Sequence, residues 1–370
     1  MDGLRAFAVL GVMVHHWVPA SWRGPLPFEI GLFFFLTLTG FLITRILLRD
    51  REAGEGSGGR WRMRHFFQFE KRRMIRILIP CYAAMLFALA VGAPDIRQHF
   101  PAYFGHWSNF HMAGMKGWPS GTAHYWTLAI QIQFYLIWPL LVFLTPKRWL
   151  TGTFSICVIA APLSRMILAK HFPEIHHPEA ITITALDYFG SGALLALAIQ
   201  RGMKAGDVRL KHAAWFAFAG YAFLYIHQGY HRPLPGLGCV QQTLLAIAFA
   251  GLISTTLAGF GGIRGRILDH PMVQHVGKLS FGLYLFHTPV PLFLGFICPW
   301  LWGAWFVGYW QILRLVAFAL TSWGLAYLCW KYLESRSLKG IQVAGAPCGN
   351  PWPSAEAALP DAVQIPKNEA

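Results

Sequence analysis

Charge is scarce in this chain: Asp, Glu, Lys and Arg make up 13% of its 370 residues, against about 25% in an ordinary soluble protein. So few charged groups exclude a pair of soluble domains and, with 55% apolar residues and a mean hydropathy of +0.43, point to a single membrane domain. Acidic residues are the scarcest, 16 against 31 Lys and Arg, which leaves a net charge of +15. In a soluble protein that excess would suggest nucleic acid. Here most of it lies in short connectors between apolar runs, so it reads as membrane topology and no nucleic-acid partner is expected. The six cysteines are scattered without CxxC or zinc-finger spacing, which speaks against a disulfide framework and gives no metal site. No internal repeat is present. The first apolar stretch runs into His15-His16-Trp17 with no small-residue cleavage site, so it reads as a retained helix rather than a signal peptide.

What is abundant is apolar length. A bilayer core takes about 20 residues per helix, and ten segments come close: 4–22, 28–48, 74–92, 123–145, 150–169, 182–200, 212–228, 237–258, 277–298 and 304–332. The seventh is the weakest. An all-α, polytopic transmembrane helical bundle of about ten helices follows. The connector 49–73 carries Arg49, Arg51, Arg60, Arg62, Arg64, Lys71, Arg72 and Arg73, while the alternate connectors hold only Arg23, Arg97, Lys116, Lys170 and Arg232. That asymmetry predicts N-in and C-in. Residues 1–337 are expected to form the transmembrane domain and 338–370, rich in Ala, Pro and Gly, a disordered cytoplasmic tail. The Gly-rich connector 50–65 is expected to be mobile. The outer loop 93–122 is long enough to cap a site, or simply to cover the rim.

Ionisable residues inside the bilayer cost roughly 2.5–3.5 kcal/mol on insertion scales and so have partners or roles. Arg5 and His16 are eleven residues apart, three helical turns and one face, separated by roughly 16 Å along the axis. Arg5 falls at the cytoplasmic end and His16 well into the membrane towards the outer side. Such a pair suits a long substrate whose anionic end stays at Arg5 while its reactive end meets His16, which can accept a hydroxyl proton. The bland alternative is an anchoring Arg and a His bonded to a neighbouring helix. Arg72, Arg73 and Arg76 crowd one turn at the cytoplasmic mouth, fitting either phosphates or anionic lipid. His124, Gln131 and Tyr135 share one face of the fourth segment, and Ser280, Tyr284 and His287 one face of the ninth. Either face could line a polar cavity or only make interhelical hydrogen bonds. Arg165 and Asp187, near the outer ends of consecutive segments, are expected to form a structural ion pair, and Arg314 has no evident partner.

The opening Asp2-Gly-Leu-Arg-Ala-Phe-Ala-Val-Leu-Gly-Val-Met-Val-His-His-Trp17 resembles that of the acyltransferase 3 family, integral-membrane enzymes that O-acylate glycans, lipids and some small molecules. The family's Arg-x10-His pattern falls on Arg5 and His16, with His15 off-register. Similar blocks follow in family order: Phe33 to Ile43, Phe66 to Ile77 with Arg73-x-x-Arg76, His124 to Tyr135, Asp187 to Gly192, and Ser280 to Pro289. Two departures stand out. Gln131-Ile132 replaces the usual Glu-Glu, and Glu334-Ser-Arg336 stands where Glu-x-Pro is common, a difference that looks peripheral.

The resemblance implies an acyl-CoA-dependent O-acyltransferase of the bacterial cytoplasmic (inner) membrane. Acyl-CoA would be a donor substrate rather than a bound cofactor, and the acceptor a hydroxyl, most simply on a glycan. Arg5, Arg73 and Arg76 would steady the donor phosphates, and His16 would act as general base. His124, Gln131, Tyr135 and His287 would be candidates for lining the substrate cavity. The chain shows no appended soluble hydrolase-like domain of the kind some relatives carry, so the core is expected to bind the acceptor by itself. The competing reading is a transporter or flippase that moves an acyl donor or glycan without chemistry; it would favour inverted repeats and interrupted helices.

Overall fold

The computed structural model describes residues 1–54, 58–230, 236–302 and 310–334. Among them every regular element is helical, as a lipid setting demands of a chain that must satisfy its backbone polar groups internally. The principal helices are α1 (Asp2–Trp17), α2 (Ile30–Ala53), α3 (Gly58–Ala90), α4 (Tyr125–Leu144), α5 (Leu150–His171) and α6 (Leu186–Gln200). They continue with α7 (Val208–Tyr230), α8 (Leu237–Ala258), α9 (Pro271–Phe286), α10 (Pro289–Ile297) and α11 (Trp310–Cys329).

Seven of the described helical segments are long and apolar enough to cross a bilayer, or eight if α9 and α10 form one broken span. Each of the ten expected segments falls on helix among the described residues, 304–309 of the last lying outside them, but three fall short of simple spans. The first is shorter than expected: α1 has 16 residues, about 24 Å at 1.5 Å per residue. A separate short helix, Ala20–Arg23, follows it. α7 is long enough, but Arg209, Lys211 and His212 dilute its apolar character. The ninth segment is not one helix, because α9 and α10 meet at 69°. Pro289 and Pro291 lack the backbone N–H groups that would continue the helical ladder, and the break leaves His287 and Thr288, both still in helical backbone, at the corner. The two ends of the connector 50–65 continue α2 and α3, residues 55–57 lie outside the described residues, and so does the tail 338–370.

Packing sets which faces meet. α2 and α6 cross tightly at Gly40 and Gly192, where a Cβ would fall 2.3 Å from the Phe189 carbonyl oxygen and 2.2 Å from that of Thr37 respectively. Small residues of this kind let helix backbones touch where lipid supplies no hydrophobic drive. α4 joins the same layer through Phe134, stacked on Phe189 at 4.0 Å, and Trp138, stacked on Phe154 of α5. The expected pair forms here: Arg165 Nη2 lies 2.5 Å from Asp187 Oδ2, which also accepts from Thr243 of α8 at 2.7 Å. Arg314 finds an aromatic neighbour, its guanidinium 5.8 Å from the Trp302 ring centre. On the other flank α1 runs alongside α9. Gly277 allows this contact, since a Cβ there would sit 2.0 Å from the Asp2 carbonyl oxygen.

Candidate functional site

Because α1 and α9 run in the same direction, Arg5 and His16 on one are matched by Ser280, Tyr284 and His287 on the other. Arg5, fully buried, holds Asp2 of its own first turn at 2.8 Å. From α3, Arg73 donates through Nη2 to the Tyr135 hydroxyl at 2.8 Å and lies 4.6 Å from the centre of that ring. Arg76 is half-buried one turn further on. These three arginines line one cavity, together with Gln131 and Tyr135 of α4 and Ser280 and Tyr284 of α9. The Arg72 side chain lies outside the described residues.

Glu334 lines the same cavity and is buried. The departure at Glu334-Ser-Arg336 falls on Arg336, outside the described residues; Glu334 itself stands among the arginines, because the π-helix Trp330–Glu334 that continues α11 packs against α3. A signal was present in the sequence. Glu334 is the one acidic residue in the apolar run from 310 onwards, and a lone intramembrane carboxylate calls for a partner. The cavity lining thus carries three guanidinium groups and one carboxylate, with Arg5 also paired to Asp2 and with Gln131 and the buried Ser280 hydroxyl as neutral polar groups.

A second cluster stands at the far end of α1. The His16 and His287 ring centres are 4.9 Å apart, as are those of His124 and His287. His16 Nδ1 lies 2.9 Å from the Val12 carbonyl oxygen and therefore carries the proton in the neutral ring, leaving the Nε2 lone pair available. His287 is fixed the same way, Nδ1 donating to the Tyr284 carbonyl oxygen at 2.7 Å. Its Nε2 is buried with no hydrogen-bond partner among the described residues. His124 has the opposite tautomer: Nε2 donates to the Leu285 carbonyl oxygen at 3.1 Å, while Nδ1 faces the Thr288 hydroxyl at 2.5 Å. The bend between α9 and α10 supplies both partners. His15 turns aside to the rim, 2.6 Å from Arg23 Nη1 and 3.0 Å from Glu29 Oε2.

Two expectations change. His16 stands exposed in the last turn of α1, because the helix stops at Trp17 instead of running on to residue 22. The face shared by His124, Gln131 and Tyr135 is also divided between two sites. Gln131 and Tyr135 belong to the arginine cavity, His124 to the histidine cluster. Seven residues of helix put about 10 Å of depth between His124 and Gln131. Tyr284 fills the boundary. Its ring is 5.4 Å from those of both His124 and His287, its hydroxyl is 2.5 Å from Thr127 Oγ1, and its other side lines the cavity.

Fold and site together define an integral membrane protein with a basic cavity at one end of α1, a histidine cluster at the other and a tyrosine between them. The chain belongs to the acyltransferase 3 family, whose model, described as an acyltransferase domain, matches residues 1–331. It is similar to the peptidoglycan O-acetyltransferase of Listeria monocytogenes, at 28% identity over 78% of this chain and 49% of that protein. It is also similar to a putative peptidoglycan O-acetyltransferase of Bacillus subtilis, at 25% identity over 78% of this chain and 48% of the relative. An O-acetyltransferase of Staphylococcus aureus matches at 27% identity over 80% of this chain and 50% of its own length. The chain thus spans about half the length of these curated relatives. No solved structure matches it.

Proposed function

We propose that the protein is an O-acyltransferase of the cytoplasmic membrane that moves an acyl group from cytoplasmic acyl-CoA to a glycan hydroxyl on the outer side. The observation that carries this reading is the pairing along α1: Arg5 opens into a three-arginine cavity, and His16, one face and roughly 16 Å away, keeps an available Nε2 beside His287. The N-terminus is inside in this scheme, following the basic connectors. Arg5, Arg73 and Arg76 hold the donor phosphates, and the pantetheine arm passes Tyr284 to bring the thioester to the histidines. His16 Nε2 takes the acceptor hydroxyl proton as its oxygen attacks the thioester carbonyl. The carbon–sulfur bond breaks, and CoA leaves as a thiolate that is protonated. The names of the relatives favour an acetyl group and a peptidoglycan-type acceptor.

The test is transfer of labelled acetyl from acetyl-CoA to muropeptides by purified protein in detergent. Wild type is expected to form an ester. His16→Ala is expected to lose at least the ~10²-fold that general-base catalysis contributes, with donor affinity and thermal stability retained. A well-folded variant keeping more than about a tenth of the activity rules out that role for His16. Wild type that binds acetyl-CoA without turning it over would favour transport.

A further inference from the structure

Asp95, His99 and His111 gather in the loop between α3 and α4, away from the arginine cavity, and the reading above does not use them. This loop folds into three short helices, Pro94–Gln98, Phe100–Phe104 and Ser108–Ala113. One oxygen of Asp95 faces two imidazoles: Oδ1 is 3.1 Å from His99 Nδ1 and 3.2 Å from His111 Nε2. All three atoms lie within 4.8 Å of one another. Ligand atoms bound at 2.0–2.1 Å around a tetrahedral zinc ion are about 3.3 Å apart, so two edges of such a polyhedron are already set. We infer that Asp95, His99 and His111 bind a divalent transition-metal ion, with zinc fitting best, and that the ion pins the first and third loop helices together.

The set is built as metal sites are. Two imidazoles and one carboxylate suit zinc, cobalt, nickel or copper better than magnesium or calcium, which prefer all-oxygen shells. The second carboxylate oxygen, Oδ2, accepts from the Tyr103 hydroxyl, which in turn lies 3.0 Å from Thr122 Oγ1. Such outer partners orient a ligating carboxylate. Asp95 is buried whereas the His99 side chain is 42% exposed, leaving a side from which an ion and a coordinating water can enter. The loop is also tied to the bundle, as Gln133 of α4 donates to the His106 carbonyl oxygen and to Asn109 Oδ1, each at 3.0 Å. Thr122 stands two residues ahead of His124. An ion here would brace the cover beside the histidine cluster. In the sequence only the i, i+4 spacing of Asp95 and His99 points to it; His111 is brought in by the packing of the third loop helix.

The experiment uses tag-free full-length protein in detergent, stripped with a chelator and titrated with Zn²⁺, and in parallel with Co²⁺ read by its visible absorption. One ion per chain, an intense low-symmetry Co²⁺ spectrum and a zinc-dependent rise in Tm are expected. His99→Ala and His111→Ala should each weaken binding at least tenfold and abolish the Tm rise. Tyr103→Phe, which removes no ligand, should weaken it about tenfold, and His171→Ala should leave it unchanged. Wild type that takes up no more zinc than the His99→Ala, His111→Ala double variant overturns the assignment. Because the His99 side chain is only partly buried, its replacement tests binding with little threat to the fold.

Discussion

Arg73 offers the sharpest test of the basic cavity. Its guanidinium is nearly buried, donates to the Tyr135 hydroxyl at 2.8 Å and lies over the Tyr135 ring at 4.6 Å. A phosphate held there would gain a charge-assisted hydrogen bond contributing about 1.5–3 kcal/mol. At about 1.4 kcal/mol per tenfold, Arg73→Ala should raise the KM for acyl-CoA roughly ten- to hundredfold. The contact would be equal in ground and transition states, so kcat should change little. Arg73→Lys keeps the charge but loses the planar fork, and should recover only part of the affinity. Tyr135→Phe removes the hydroxyl that Arg73 leans on while keeping the ring, which separates loss of the prop from loss of the charge. The assay is equilibrium binding of labelled acyl-CoA to purified variants, with protease accessibility of the connector 49–73 in vesicles reporting topology. A lipid-anchoring role predicts disturbed insertion with normal donor affinity. Normal acyl-CoA binding by the Arg73→Ala, Arg76→Ala double variant would refute the donor-site reasoning.

Asp187→Ala leaves Arg165 buried without its carboxylate, a kind of loss that costs about 3–5 kcal/mol. A clear drop in Tm with unchanged kinetics in the folded fraction is expected; an unchanged Tm would show that the pair is not structural. Gly277→Ala pushes a methyl into the Asp2 carbonyl and should destabilise by about 1–3 kcal/mol. Because α1 carries Arg5, the KM for acyl-CoA should rise as well, and a variant with stability and KM both unaltered contradicts the close α1–α9 crossing.

Much of the architecture was legible in the chain itself. A bilayer imposes a one-dimensional constraint, about 20 apolar residues per crossing, so helices fall close to the expected segments without reference to their neighbours. The same constraint marks Arg5, His16, Arg165 and Asp187, since a charge in an apolar run needs a reason to be there. Helical period rightly aligned Arg5 with His16. Period alone could not say that His124 and Gln131, on one face, serve different sites, because depth matters as much as direction and Tyr284 comes from another helix. Nor could it say that Glu334, more than three hundred residues from Arg5, would stand in the same cavity. The corner at His287 depends on the 69° bend between α9 and α10, where Pro289 and Pro291 remove ladder N–H groups. The Asp95, His99 and His111 cluster depends on how two short loop helices pack. Local sequence determined where the chain crosses and which side chains are costly to bury; only tertiary packing decided which of them meet, because contacts between helices depend on crossing angle and depth, which no local pattern encodes.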